Sequence, residues 1–159
     1  RRFIVPFYYN GSTVGYTSRL IDNNKNKPKY FTNSQPNYMY NMDVLTKKRK
    51  YLIVVEGVLD ALSIDGLAVL HNKLNQVQID LIKEFDGEII VCPDRDAAGS
   101  TLIDQAVDNG WSVSFPPWQE HIKDCADAVK HYGQLFTVKS IIDSRVNNKT
   151  KIKVLRKIA

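Results

Sequence analysis

From residue 51 onward, short unbroken apolar runs alternate with segments whose apolar positions recur every three or four residues. "YLIVVE" (51–56) and "GEIIVC" (87–92) have the pattern of strands buried on both faces. "LAVL" (67–70) and "WSVSF" (111–115) are shorter runs of the same kind. Between them, "GVLDALSIDG", "NQVQIDLIKEF" and "AAGSTLIDQAVDNG" carry helical spacing, with Asn75 placed as an N-cap and Gly110 as a stop. The alternation predicts an α/β fold: a mainly parallel sheet of about four strands, flanked by helices and joined by right-handed crossovers.

The first fifty residues follow another pattern and hold six of the eight tyrosines. "FIVPFYY" and "TVGYTSRL" read as two strands joined through "NGS", a hairpin turn signal. "DNNKNKPKYFTNSQPN" has no apolar period and reads as a polar loop, and "MYNMDVLTKKRK" as a short helix ending in a basic run. "HIKDCADAV" follows the last strand and a Pro-rich turn, and the remaining residues read as two helical pieces with basic faces. The organisation expected is a small α+β subdomain over 1–50, an α/β domain over 51–133 and a helical segment over 134–159.

Composition narrows the class only modestly. An apolar share of 43% in 159 residues supports a buried core and excludes disorder. No apolar run is long enough to span a membrane, and Pro6 breaks the N-terminal stretch, arguing against a signal peptide. The net charge of +5 permits a polyanionic partner without demanding one. Cys92 and Cys125 lack CxxC spacing and read as small buried hydrophobes, and the histidines show no zinc spacing. The missing initiator Met suggests a piece of something longer.

Acids fall where such a fold collects ligands, at the carboxyl ends of the strands. Glu56 ends one strand, Asp94 and Asp96 follow another, and Asp124 and Asp127 follow the last turn. Singly, each reads as a solvated loop residue or a helix cap, and Asp60 as a polar residue on a helix. Jointly, their matched topological positions suit a hard divalent cation, Mg²⁺ above all, held with waters and substrate phosphates. Gly57 lets the chain turn tightly into its helix, and Gly99, behind Ala97 and Ala98, opens a helix start that favours phosphate.

"VVEGVLDAL" followed by "DRDAAG" resembles the TOPRIM domain of bacterial-type primases, type IA and type II topoisomerases and some nucleases. The D-x-D-x-E-G of topoisomerases has Ala98 at its Glu position here, so "DRDAAG" looks like the primase form. "FIVPFYYNGSTVGYTSRL", "PKYFTNS" and "YNMD" are similar to the subdomain preceding TOPRIM in the primase polymerase core. "KDCADAV" is closer to the K-D-x-N-D form of phage-type primases, which leans toward a phage or plasmid origin.

The resemblance implies short RNA primers made on single-stranded DNA from ribonucleoside triphosphates, in the bacterial cytoplasm or a phage-infected host. Glu56, Asp94 and Asp96 would be catalytic and would hold two Mg²⁺ or Mn²⁺ ions. Asp127, Asp60 and Asp124 are further candidates, with Asp127 favoured over Asp124. Arg19 and Lys29 would face nucleotide and template, beside Gly57 and Gly99. Tyr30, Phe31 and Tyr38 read as stacking platforms or, more plainly, as core. "KKRK" (47–50) reads as a solvated helix end. A replicative helicase and a zinc-binding template reader would act from elsewhere in the full protein. A nuclease using the same acids and a non-catalytic DNA-interaction module are the competing readings.

Overall fold

The computed structural model describes residues 1–22, 26–71, 73–95 and 101–157. Strands β1 (Arg2–Tyr9), β2 (Ser12–Leu20) and β3 (Tyr30–Ser34) form an antiparallel sheet in the order β1-β2-β3. Asn10 and Gly11, both at positive φ, make the β1–β2 turn, a conformation Asn and Gly adopt most readily. β3 falls inside the stretch expected to be a loop. Four of its five residues are exposed, so it has no apolar alternation to announce it, and pairing with β2 alone defines it.

A 3₁₀ turn (Met42–Thr46) stands where a short helix was expected, and the basic run lies beyond it. Strands β4 (Tyr51–Val55), β5 (Leu67–Ala68), β6 (Glu88–Val91), β7 (Ser112–Ser114) and β8 (Arg145–Val146) form a five-stranded sheet in the order β5-β4-β6-β7-β8. The first four are parallel and β8 adds an antiparallel edge. β8 corrects the expectation of purely helical pieces after residue 134. At two residues it is too short to carry a pattern, and Arg145 fixes it through an ion pair with Glu88 of β6 at 2.9 Å.

Helices α1 (Val58–Ile64), α2 (Gln76–Lys83), α3 (Thr101–Asn109), α4 (Cys125–Tyr132), α5 (Gln134–Asp143) and α6 (Lys149–Leu155) complete the fold. Alternation along β4 sorts the core into two layers. Leu52 and Val54 face a cluster with Ile79, Ile82, Leu102 and Ala106, which also takes in Phe7 and Met39 from the N-terminal part. Ile53 and Val55 face a second cluster with Ala61, Ile64, Cys125, Ala128 and Ile141. The N-terminal sheet thus shares a core with the α/β domain.

Asn75 starts α2 with a reciprocal capping box: its side chain accepts from Gln78 N at 3.0 Å, and the Gln78 side chain accepts from Asn75 N at 3.0 Å. Asn75→Ala removes one half of this exchange and is expected to cost about 1 kcal/mol, read from chemical denaturation as a lower midpoint at unchanged slope.

Candidate metal and nucleotide site

β4 and β6 run parallel, so both deliver their C-terminal residues to one end of the sheet. Glu56 follows β4 and Asp94 follows β6 by three residues. With Asp60 and Asp124 they line a cleft of about 420 Å³, within the range that holds small-molecule ligands. Its opposite wall is formed by Thr17, Lys29, Tyr30 and Thr32 of the N-terminal sheet. Residues scattered over more than a hundred positions therefore meet, anionic on one side and cationic, aromatic and hydroxylic on the other.

Asp60 and Asp124 each have a local anchor. Asp60 sits on α1, is only 6% exposed, and accepts the Ala126 N–H at 2.9 Å. Burial pushes its carboxyl up to about 6, opposed by the Ala126 N–H and reinforced by the Asp124 charge. A Cβ at Gly57 would stand 2.5 Å from Asp60 Oδ2, so a larger residue there would displace the carboxylate. Asp124 is the N-cap of α4, with Oδ1 accepting from Asp127 N at 2.7 Å. Asp127 lies in the first turn of α4, is exposed, and is not among the residues lining the cleft. The geometry thus reverses the expected order of these two: the capping residue faces the cleft, while the residue three positions on turns to solvent.

The loop carrying Asp94 is fixed by Arg95, to which the sequence reading gave no role. Its guanidinium donates to the carbonyls of Gln119 (2.8 Å), Pro116 (3.0 Å) and Trp118 (2.8 Å), and its own N–H donates to Lys123 O at 2.9 Å. Trp118 in turn donates from Nε1 to Ser140 Oγ of α5 at 2.8 Å. The middle residue of "DRD" staples its loop to the segment leading into Asp124. Only the convergence of three carbonyls in space identifies it.

On the facing wall, the Arg19 guanidinium and the Lys29 ammonium lie 5.6 and 5.7 Å from the Tyr30 ring centroid. The Tyr30 hydroxyl is raised above its ordinary value by burial, lowered by Arg19 and raised again by Asp60, Asp124 and Asp94, so it stands within the field of both walls. Phe31 points to the other face of its strand, and Tyr38 is core: it is 5% exposed, its ring stacks on Phe7 at 5.3 Å and its hydroxyl donates to Tyr8 O. In the basic run, Lys47 and Arg49 pair with Asp65 and Lys50 covers Tyr51. The run precedes β4, at the end of the sheet away from the cleft.

Asp96 and Gly99 lie outside the described residues. Among the described residues no group of three or more His, Cys, Asp or Glu side chains is placed to hold a metal ion. The anionic donors lining the cleft are the carboxylates of Glu56, Asp60, Asp94 and Asp124, oxygen ligands of the kind a hard, well-hydrated cation takes, and His71 is the one imidazole beside them among the described residues. Among the described residues, no helix is long and apolar enough to cross a membrane. Cys92 and Cys125 are buried as expected, with sulfurs 3.8 Å apart.

Comparison with known proteins agrees with the fold and the site. Residues 53–130 match the Toprim-like family, and the acids of that segment that line the cleft include Glu56 and Asp94 at strand ends. The chain is also similar to bacterial DNA primases. It is 29% identical over 115 residues to the DNA primase of Campylobacter jejuni, covering 62% of this chain and 19% of that protein. It is 28% identical over 113 residues to the DNA primase of Clostridium acetobutylicum, with the same coverage. The matched region thus spans about a fifth of the length of these curated relatives, 19% in both. The fold superposes on the zinc-binding and RNA polymerase domains of Aquifex aeolicus primase with a TM-score of 0.70 at 23% identity, over 92% of this chain and 41% of that one. It also superposes on the E. coli primase catalytic core (TM-score 0.68, 19% identity, 90% of this chain and 52% of that one). A Pseudomonas aeruginosa primase domain gives a TM-score of 0.71 at 20% identity, over 91% and 51%.

Two measurements check this geometry. Arg95→Ala removes the donor of Trp118 O and one of two donors to Pro116 O and Gln119 O, which keep the Trp118 and Ile122 N–H groups. It is expected to cost about 1–2 kcal/mol by chemical denaturation, and more than Arg95→Lys. Asp60 has its folded pKa raised from 3.8 to about 6. Its contribution to stability is therefore fully present below pH 4 and is lost as pH rises through 6. With divalent ions chelated, Asp60→Asn keeps an acceptor for Ala126 and is expected to exceed the parent by about 1–3 kcal/mol above pH 7, the gap closing toward pH 4.

Proposed function

We propose that this chain is the polymerising core of a bacterial-type DNA primase, joining ribonucleotides into short primers on single-stranded DNA. The observation that carries the reading is the two-walled cleft, with Glu56, Asp60, Asp94 and Asp124 on one side and Lys29 and Tyr30 on the other. Primases among the relatives rank this chemistry above others that Toprim-like acids serve.

Glu56, Asp94 and Asp124 are the described residues assigned to hold divalent ions, Mg²⁺ or Mn²⁺, and Asp96, outside the described residues, is assigned the same role. Such ions, when bound, activate the attacking 3′-hydroxyl and neutralise the leaving pyrophosphate, the two tasks of a two-metal site. The chain's own groups do the rest. Lys29, with Arg19 across the Tyr30 ring, offsets phosphate charge on the wall facing the acids. Asp60 holds the Ala126 N–H and so fixes the start of α4 and, with it, Asp124. Arg95 keeps Asp94 at a constant height above the sheet edge. In-line attack needs the nucleotide held between these walls with its α-phosphate toward the acids. The template is single-stranded DNA. Its selection is assigned to a zinc-binding module, of the kind that accompanies the RNA polymerase domain in the Aquifex aeolicus structure, and its delivery to a helicase partner.

Incubation with single-stranded DNA, ribonucleoside triphosphates and Mg²⁺ or Mn²⁺ tests the reading. RNA products are expected to appear, and Asp94→Asn to reduce their rate at least about a hundredfold with an unchanged circular dichroism spectrum. Asp94→Asn at parental speed contradicts the assignment. DNA shortened in the absence of ribonucleotides identifies a nuclease built on the same acids instead.

A further inference from the structure

The register of β2 and β3 decides which side chains share a face. Thr17 pairs with Thr32 and Arg19 with Tyr30. Alternation along a strand puts these four on one side and Tyr16, Ser18 and Phe31 on the other. The observed surfaces agree: Thr17, Tyr30 and Thr32 line the acidic cleft, and Tyr16, Ser18 and Phe31 line a groove on the opposite face. Thr17 Oγ1 and Thr32 Oγ1 are 2.8 Å apart. Thr17 is 3% exposed, whereas Thr32 is exposed to the cleft.

The wall is graded along its strands. Lys29, Arg19 and Tyr30 make a cationic end, and the hydroxyl pair stands one step further along the same face, about 7 Å away. A nucleoside triphosphate is graded in the same order, from anionic phosphates to a neutral sugar bearing hydroxyls. A pair of bonded hydroxyls uses one of its two protons internally and keeps a second proton and several lone pairs. It can therefore both donate to and accept from a sugar hydroxyl, which itself needs both.

We propose that the Thr17–Thr32 pair reads the 2′-hydroxyl of the incoming nucleotide and so sets the preference for ribo- over deoxyribonucleotides. This rests on the nucleotidyl-transfer reading above. Thr32 makes the contact, and Thr17 is a positioning residue whose buried hydroxyl orients that of Thr32. A site that hydrogen-bonds a substrate hydroxyl loses affinity for the analogue lacking it, whereas an apolar wall would accept both.

The test uses the full chain as parent, Thr32→Val and Thr32→Ser. Valine keeps the β-branched shape that suits a strand, and serine keeps the hydroxyl. Calorimetric binding of a ribonucleoside triphosphate and its 2′-deoxy counterpart with Mg²⁺, which needs no turnover, is paired with kcat/KM for extending a primed template with each. The parent is expected to favour the ribonucleotide in both. Thr32→Val should lower that ratio about tenfold through the ribonucleotide alone, with Thr32→Ser near parental. A parent that binds both nucleotides equally overturns the proposal, as does a Thr32→Val ratio equal to the parent's. An equal loss for both nucleotides overturns it too and assigns Thr32 a structural role. Preferential ribonucleotide binding without any extension supports the reader while contradicting the nucleotidyl-transfer reading, so the two failures are separable.

Discussion

The structure is organised around an electrostatic problem: several carboxylates must face one small volume although they repel each other there. Nothing in their mutual interaction holds them in place. Their positions come from the backbone: two parallel strands that end together, a helix cap at Asp124 and the Ala126 N–H bonded to Asp60. Arg95 adds three carbonyl contacts that tie the Asp94 loop to the approach of α4. The buried Asp60 carries the energetic cost openly, its carboxyl held above its ordinary value by desolvation.

The use proposed here needs the second wall. The N-terminal sheet is not an appendage, because Phe7 and Met39 sit fully buried in the same cluster as Leu52, Val54 and Val91. That shared core fixes β2 and β3 opposite the strand ends. It places Lys29 and the Arg19–Tyr30 pair across from the acids, where a polyanion entering the cleft meets cations on one side and carboxylates on the other. Binding through both walls at once is what a triphosphate requires and what an isolated metal site would lack.

Much of this was legible in the residues alone, for identifiable reasons. "YLIVVE" and "GEIIVC" are apolar without interruption because β4 and β6 are covered on both faces, so their ends, Glu56 and the Asp94 loop, could be placed before any coordinates. Asn75 and Gly110 mark helix ends through chemistry that is local in sequence. Illegible features depend on partners far away. β3 lacks alternation because its residues are mostly exposed, and β8 is two residues held by Glu88. The choice between Asp124 and Asp127 turned on which one caps α4, and the roles of Arg95, Thr17 and Thr32 exist only across hydrogen bonds spanning 15 to 24 positions. The similarity to primases extends past the Toprim-like segment because the N-terminal sheet is part of the same core.

The central claim is that carboxylates from separate strand ends share divalent ions. Crystals soaked in Mn²⁺ with a nucleoside triphosphate, recorded at the manganese absorption edge, address it directly. Anomalous density is expected in the cleft, within coordination distance of Glu56 and Asp94, with the phosphates toward Lys29. Manganese absent from the cleft at saturating concentration, or bound only elsewhere on the surface, would contradict the account.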